Sequence, residues 1–167
     1  MIRVLFVVFS CLLLCGNVYG QVTREAKKTA DALTGDDKKS AAENPQCKLY
    51  TLAEVEKYMG EPVTAGQNAA LGTGCQWIAK SENGDMMVQV VPASYHVPPT
   101  LGKGYRTLPD VGTQGFILPE LGGWAAGAIK GDESIHVSMA GPGANAEIVI
   151  DLLKETLKRW TKQLPKH

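Results

Sequence analysis

The C-terminal stretch AEIVIDLLKETLKRWTKQL, residues 146–164, decides the fold class because its apolar side chains repeat with the period of an α-helix. Acidic residues lie near its start and basic residues near its end, as the helix dipole favours, and Pro165 predicts its end. We therefore expect a long terminal helix with one buried face. The residues on that face are Ala146, Val149, Leu153, Leu157, Trp160 and Leu164.

A second, shorter helix is predicted near the start of the folded part of the chain. Thr51 and Glu54 have the spacing of a capping box, in which each side chain accepts a hydrogen bond from the backbone amide of the other residue. Gly60 supplies the left-handed end of this helix. Its apolar face comprises Leu52, Val55 and Met59.

The residues between the two helices have the composition and spacing of β-strands. A long irregular loop, rich in proline and glycine, is predicted over residues 92–113. The whole order predicts an α+β domain, with an antiparallel sheet of about five strands and both helices packed on it. The predicted strands are 75–80, 86–91, 115–118, 124–130 and 134–139.

The first twenty residues have the pattern of a secretory signal peptide. Arg3 gives a positive start, residues 4–14 are almost entirely apolar, and residues 16–20 are small or polar. The apolar run is shorter than the about 20 residues that a transmembrane helix needs. We expect cleavage after Gly20 and no stable membrane insertion afterwards; an uncleaved anchor and lipidation at Cys11 or Cys15 stay open.

Three segments follow from composition: a signal peptide over residues 1–20, a flexible polar linker over 21–46 and a single domain over 47–167. The linker has too few bulky apolar side chains after Leu33 to form a core. Signal cleavage would remove Arg3 alone among the charged residues, leaving 16 basic against 17 acidic side chains. A chain so nearly neutral is not expected to bind nucleic acid.

Cys47 and Cys75 are the two of the four cysteines that lie beyond the signal. In an oxidising compartment an even number of cysteines predicts a disulfide, which would staple the domain. The alternative is a metal site or a redox pair. However, the two cysteines do not have a Cys-x-x-Cys spacing, and no histidine lies near either of them to serve as a further metal ligand.

The sequence contains Cys47-x-Leu49-x-Thr51-x-Ala53-Glu54-Val55, then Gly60-x-Pro62-Val63, then Gly74-Cys75-x-Trp77. This pattern gives the chain a resemblance to a broad family of small exported bacterial proteins and lipoproteins of unknown function. It covers residues 47–77 most strongly. It implies an exported, disulfide-bonded bacterial protein, and it brings no activity with it.

Candidate binding residues lie in the predicted irregular loop, where Tyr95, His96 and Tyr105 are the aromatic side chains. His136 lies on a strand among serines and could serve a hydrolase only with a distant acid or serine. Methionines near it in sequence are expected to pack in the core, so we predict no metal site and no cofactor.

The leading functional hypothesis is therefore a non-catalytic binding or envelope-associated module in the periplasm or outside the cell, with a protein or envelope partner. Two alternatives remain. One is an inhibitor of a secreted or host enzyme, a role that small disulfide-bonded domains can take, and the other is a hydrolase that uses His136.

Overall fold

The structure is a computed structural model and describes residues 41–163, so the predicted signal peptide lies outside the described residues. The described chain contains the helices α1 (Leu52–Met59) and α2 (Ala146–Gln163). Short 3-10 turns cover Ala41–Glu43, Gln46–Lys48, Ala70–Gly72 and Ala93–Tyr95. The strands are β1 (Gln67–Ala69), β2 (Gly74–Ile78), β3 (Asp85–Pro92), β4 (Arg106–Thr107), β5 (Thr113–Glu120), β6 (Gly123–Lys130) and β7 (Glu133–Ala140).

All seven strands of the described chain form one antiparallel sheet in the order β1-β2-β3-β7-β6-β5-β4. The order shows two meanders, β1–β2–β3 and β4–β5–β6–β7, which join where β3 pairs with β7. Since β3 lies in the middle of the sheet and β4 at its edge, the connection between them has to cross three strands. The four inter-strand spacings between β3 and β4 add up to about 19 Å.

The α+β class, the antiparallel sheet and the two helices are confirmed, but the prediction of about five strands was wrong. The described sheet has seven, because β1 and β4 were missed. These two edge strands read Gln-Asn-Ala and Arg-Thr, so they carry no apolar alternation that could reveal them. Their pairing is set by the neighbouring strands rather than by their own side chains.

Both helices contribute to a core on one face of the sheet. Helix α2 contacts β5, β6 and β7, and α1 contacts β3. Ile135, Val137 and Met139 of β7 are buried in this core with Leu153 of α2. Side chains alternate along a strand, so Ser134, His136 and Ser138 belong to the opposite face, which the helices leave uncovered.

The helix ends form as the sequence predicts. Thr51 Oγ1 accepts from the Glu54 amide at 3.3 Å, and Glu54 Oε2 accepts from the Thr51 amide at 2.8 Å. Gly60 ends α1 with φ 75°. Asn145 Oδ1 accepts from the Ile148 amide at 3.0 Å and so caps α2, while the predicted end at Pro165 lies outside the described residues.

The predicted disulfide between Cys47 and Cys75 is present, with the two Cα atoms 5.1 Å apart. Its sequence separation of 28 residues corresponds to a stabilisation of about 3–4 kcal/mol in the chain-entropy model. Trp77, two residues further along β2, is 2% exposed in the same core. The bridge therefore ties the segment before α1 to the sheet.

Six residues of the predicted linker, 41–46, lie in the described part of the chain. Asn44 and Gln46 among them are buried. Asn44 Nδ2 donates to Asn68 Oδ1 and to the Gly74 carbonyl, both at 2.8 Å. These contacts extend the packed domain a few residues before Cys47.

Arg159 joins the N-terminal part of the domain to α2. Its Nη1 donates to the Leu49 carbonyl at 2.7 Å, its Nη2 donates to Glu54 Oε1 at 2.7 Å, and its Nε donates to Glu155 Oε1 at 2.8 Å. The guanidinium also lies 4.5 Å above the Tyr50 ring. The hydrogen bonds from Arg159 are the largest cause that lowers the pKa of Glu54 to about 2.

Replacing Arg159 with alanine is expected to lower the free energy of unfolding by about 1–2 kcal/mol, because these hydrogen bonds are only partly shielded from water. The matched control is Lys158→Ala, which removes a neighbouring side chain that is 65% exposed and should change stability by less than about 0.5 kcal/mol. Chemical denaturation measures both. Equal effects in the two variants would show that the hydrogen bonds of Arg159 do not stabilise the domain.

Candidate functional site

The connection from β3 to β4, residues 93–105, is here named the crossing loop. It starts where the Ala93 amide donates to the Asp132 carbonyl at 2.8 Å, in the turn before β7. It ends at β4, where Thr107 pairs with Phe116 of β5. The crossing loop therefore passes from the middle of the sheet to its edge, and its side-chain contacts lie on the face without helices.

A continuous hydrogen-bonded chain, here named the His–Ser–His chain, joins one side chain of the crossing loop to two side chains of β7. Ser134 Oγ lies 2.7 Å from His96 Nδ1 and 2.8 Å from His136 Nε2. The other ring nitrogen of His96, Nε2, lies 3.2 Å from the Gln114 carbonyl oxygen. One serine hydroxyl of β7 thus bridges a histidine of the loop and a histidine of the sheet.

The direction of every hydrogen bond in the neutral chain follows from the Gln114 carbonyl, which can only accept. His96 must therefore donate from Nε2, and its Nδ1 accepts the hydroxyl proton of Ser134. The Ser134 oxygen in turn accepts from His136 Nε2–H. Each proton is used once, so the fully neutral chain has no unsatisfied group at the buried serine.

Aromatic packing surrounds the His–Ser–His chain. The ring of Phe116 lies 5.6 Å from that of His96, 5.8 Å from that of His136 and 6.1 Å from that of Tyr105, measured between centroids. Phe116 is only 3% exposed although it lies outside the helix-side core. The crossing loop therefore buries a small second core, with His96 at one end and Tyr105 at the other.

A β-bulge provides the acceptor for His96. The register of β5 against β6 shifts between Thr113 and Phe116, and Gln114 has φ 54°, in the left-handed region. Such a backbone conformation is unfavourable for a residue other than glycine. At the bulge, the Gln114 carbonyl accepts a hydrogen bond from the His96 ring rather than from a neighbouring strand.

The middle of the crossing loop presents large apolar side chains to water. Tyr95 is 70% exposed, Val97 76% and Leu101 100%. Short backbone hydrogen bonds hold the intervening turns, from Gly102 N to the Pro99 carbonyl at 2.8 Å and from Tyr105 N to the Gly102 carbonyl at 3.1 Å. The loop is thus held to the sheet near both ends, and the apolar side chains between these ends are exposed.

The predicted binding residues consequently divide into two kinds. Tyr95 is exposed, whereas His96 and Tyr105 are partly buried and face the sheet. His136 is also partly buried and hydrogen-bonded. Burial is the larger cause and the nearby His96 the smaller cause that lower the pKa of His136.

Within residues 41–163, the serine that hydrogen-bonds His136 is buried, which does not suit the nucleophile of the hydrolase alternative. Ser134, the serine that contacts His136, is 0% exposed, and its oxygen already serves both imidazoles. A substrate could not reach this hydroxyl while the crossing loop is in place. Among residues 41–163 no group of three or more histidine, cysteine, aspartate or glutamate side chains is arranged to hold a metal ion.

A groove with a volume of about 650 Å³ lies between α1 and α2. Its lining combines acidic and basic side chains, including the paired Glu54, Glu155 and Arg159. The groove is lined by three acidic and four basic side chains, so its formal charges nearly cancel. We assign it to helix packing.

A scan against protein-family models, a search of curated proteins and a search of solved structures each found no match. No helix within residues 41–163 is long and apolar enough to span a membrane.

Sequence reasoning missed Ser134, Gln114 and Phe116 as parts of the site. Ser134 had one usable signal, since it lies two residues from His136 on the same face of a predicted strand. The contact between Ser134 and His96 spans 38 residues and had no local signal. Gln114 acts through its backbone carbonyl, which its residue type does not reveal.

Gly127 of β6 leaves room for the two rings, so Gly127→Ala should disturb the site. A Cβ there would lie 2.8 Å from Phe116 Cε1 and 2.9 Å from His136 Nδ1, and both belong to packed rings. We expect a loss of about 1–3 kcal/mol in the free energy of unfolding and faster amide exchange in the crossing loop.

Ala125→Ser is the matched control, because Ala125 is partly exposed and lies on the same face of β6. It should change stability by less than about 0.5 kcal/mol. Unaltered stability and exchange in Gly127→Ala would show that the rings are not packed as described.

Proposed function

We propose that this protein is an exported, non-catalytic binding module that recognises a protein partner through the crossing loop. The observation that carries the proposal is the exposure of Tyr95, Val97 and Leu101 on a loop fixed near both ends. Exposed apolar side chains grouped on one segment are typical of interaction sites.

Fixation of the loop supports a binding role because an ordered loop loses less conformational entropy when it meets a partner. His96 and Tyr105 would act as positioning residues in this proposal. Tyr95, Val97 and Leu101 would supply the contact area, with the tyrosine offering both an apolar ring and a polar hydroxyl.

The charges of the crossing loop and of β4 suggest the chemistry of the partner. Across residues 93–107 the charged side chains are Lys103 and Arg106, both exposed, and no acidic residue occurs. A partner surface with an apolar cleft bordered by carboxylates would complement this segment. We therefore propose a protein partner of that kind.

Export is supported by the N-terminal signal pattern and by the Cys47–Cys75 disulfide, since such bonds persist in oxidising compartments. The partner would then be found in the periplasm, in the cell envelope or outside the cell. Membership of the family of small exported bacterial proteins suggested by the cysteine pattern is part of the same proposal.

Inhibition of a secreted or host enzyme is the second candidate, and the exposed apolar side chains on a loop held to the sheet near both ends favour it. Inhibitors of proteases are pre-organised and change little on binding. In this case the apolar side chains of the loop would fill the substrate cleft of the enzyme.

The test is affinity capture from the envelope and culture medium of the native source, followed by measurement of Kd with the purified partner. The loop variant Tyr95→Ser/Val97→Ser/Leu101→Ser should bind at least about tenfold more weakly. All three side chains are exposed, so its stability should be unchanged.

Leu71→Ser is the control, because Leu71 is 66% exposed in the turn between β1 and β2, at the other edge of the sheet. It should bind like the unaltered protein. Equal Kd values for the loop variant and the control would refute the proposed surface. If the captured partner is an enzyme, its activity measured with and without this protein distinguishes an inhibitor from a binding module that does not inhibit.

A further inference from the structure

We propose that double protonation of the His–Ser–His chain releases the crossing loop from the sheet, so that binding through this loop is switched off in acid. The inference rests on the proposed function only for its consequence on binding. The release itself is a property of the isolated protein.

The first proton can enter the His–Ser–His chain without breaking it. His136 Nε2 donates to Ser134, and its Nδ1 is the nitrogen without a protein hydrogen bond among the described residues. A proton added at that Nδ1 leaves all three hydrogen bonds of the chain in place. This protonation is unfavourable because the ring is partly buried and lies near His96. Burial and His96 together lower the pKa of His136.

The second proton cannot be accommodated in the same way. If His96 Nδ1 is also protonated, both imidazoliums donate to the Ser134 oxygen, and the serine proton loses its acceptor. Ser134 is 0% exposed, so water cannot replace that acceptor. Two positive charges would also lie on rings whose centroids are 5.5 Å apart.

No carboxylate in the described contacts compensates these charges. The elements packed around His96 offer the neutral side chains of Phe116 and Tyr105, the Gln114 carbonyl, and His136. Gln89 and Gly127 are the residues paired with His136 on the two neighbouring strands, and neither is charged.

The acidic residues nearest to His136 in sequence are Asp132, in the turn before β7, and Glu133, the first residue of that strand. Asp132 is exposed and meets the loop through its backbone carbonyl, and Glu133 accepts a hydrogen bond from Trp160 on the helix side of the sheet. The doubly charged state is therefore relieved only when His96 leaves the sheet and reaches water.

Release of His96 would free the start of the crossing loop. Its two hydrogen bonds, to Ser134 and to the Gln114 carbonyl, are the described side-chain bonds that tie residues 93–105 to the sheet. The loop would keep its backbone tie at Ala93 and the ring stacking of Tyr105 on Phe116. We expect a local opening rather than unfolding of the domain.

The sign of the pH dependence follows from the lowered pKa of His136. The open loop binds more protons than the closed loop, so closure is fully stable above the ordinary histidine pKa, about 6.5. Closure weakens as the pH falls from there toward the lowered pKa of His136 in the closed state. Each additional proton bound on opening raises the opening constant about tenfold per pH unit.

Hydrogen–deuterium exchange of the complete mature protein without a partner tests the release. After correction for intrinsic exchange, protection of amides 96–105 should fall at least about tenfold between about pH 7.5 and about pH 5, while α2 stays protected. The variant His136→Gln keeps a donor and acceptor at the position of Nε2 but cannot be charged, so its loop should stay protected at both pH values.

His167→Gln is the matched control, because His167 is the third of the three histidines and lies outside the described residues. It should show the pH dependence of the unaltered protein. Constant loop protection over this pH range, or release of the His136→Gln loop at the same pH as the unaltered loop, would overturn the proposal. Where His136→Gln does not fold, the pH course of protection in the unaltered protein decides alone.

Affinity for the partner, measured over the same pH range, separates this inference from the proposed function. If the loop opens in acid and the Kd does not change, the release stands and the proposed binding surface fails. If binding depends on Tyr95, Val97 and Leu101 but loop protection does not depend on pH, the surface stands and the release fails.

Discussion

The hydroxyl of Ser134 has no access to water, and it must therefore find its hydrogen-bond partners inside the protein. Those partners are His136 on the same strand and His96 on a loop that comes from the centre of the sheet. Because the hydroxyl has only one proton to donate, the protonation states of the two histidines depend on each other. The position of the crossing loop is tied to this small set of atoms.

The two faces of the sheet are covered by different elements. On one face, α1 and α2 cover a large apolar core, and the Cys47–Cys75 disulfide and Arg159 tie the N-terminal segment to it. On the other face, the crossing loop covers Phe116 and Ser134. The stability of the domain therefore depends mainly on the helix side.

The parts of the fold with strong local patterns were predictable from sequence. The capping box of α1, the apolar face of α2 and the longer strands are all set by side chains close together along the chain. The edge strands β1 and β4 escaped prediction because their few residues take their conformation from the neighbouring strand. The order of the strands also depends on the pairing of β3 with β7, which brings together residues more than 40 positions apart.

The candidate site was predictable only in part for the same reason. The irregular loop predicted over residues 92–113 contains the crossing loop and also the missed strand β4, and Tyr95 is exposed on it. His96 and Tyr105 face inward instead, because the path from β3 to β4 carries the loop over Phe116 and Ser134. No local pattern in residues 92–113 could show that path, since it is determined by which strands lie between the two ends.

The proton positions in the His–Ser–His chain are the most direct measure of this account. Nitrogen-15 NMR correlation spectra of the two imidazoles, recorded at about pH 7.5, distinguish the two neutral tautomers. The structure requires both His96 and His136 to carry the proton on Nε2, with His96 Nδ1 accepting from Ser134. A neutral His96 that carries its proton on Nδ1 would contradict the account, because the lone pair of Nε2 would then face the Gln114 carbonyl oxygen at 3.2 Å.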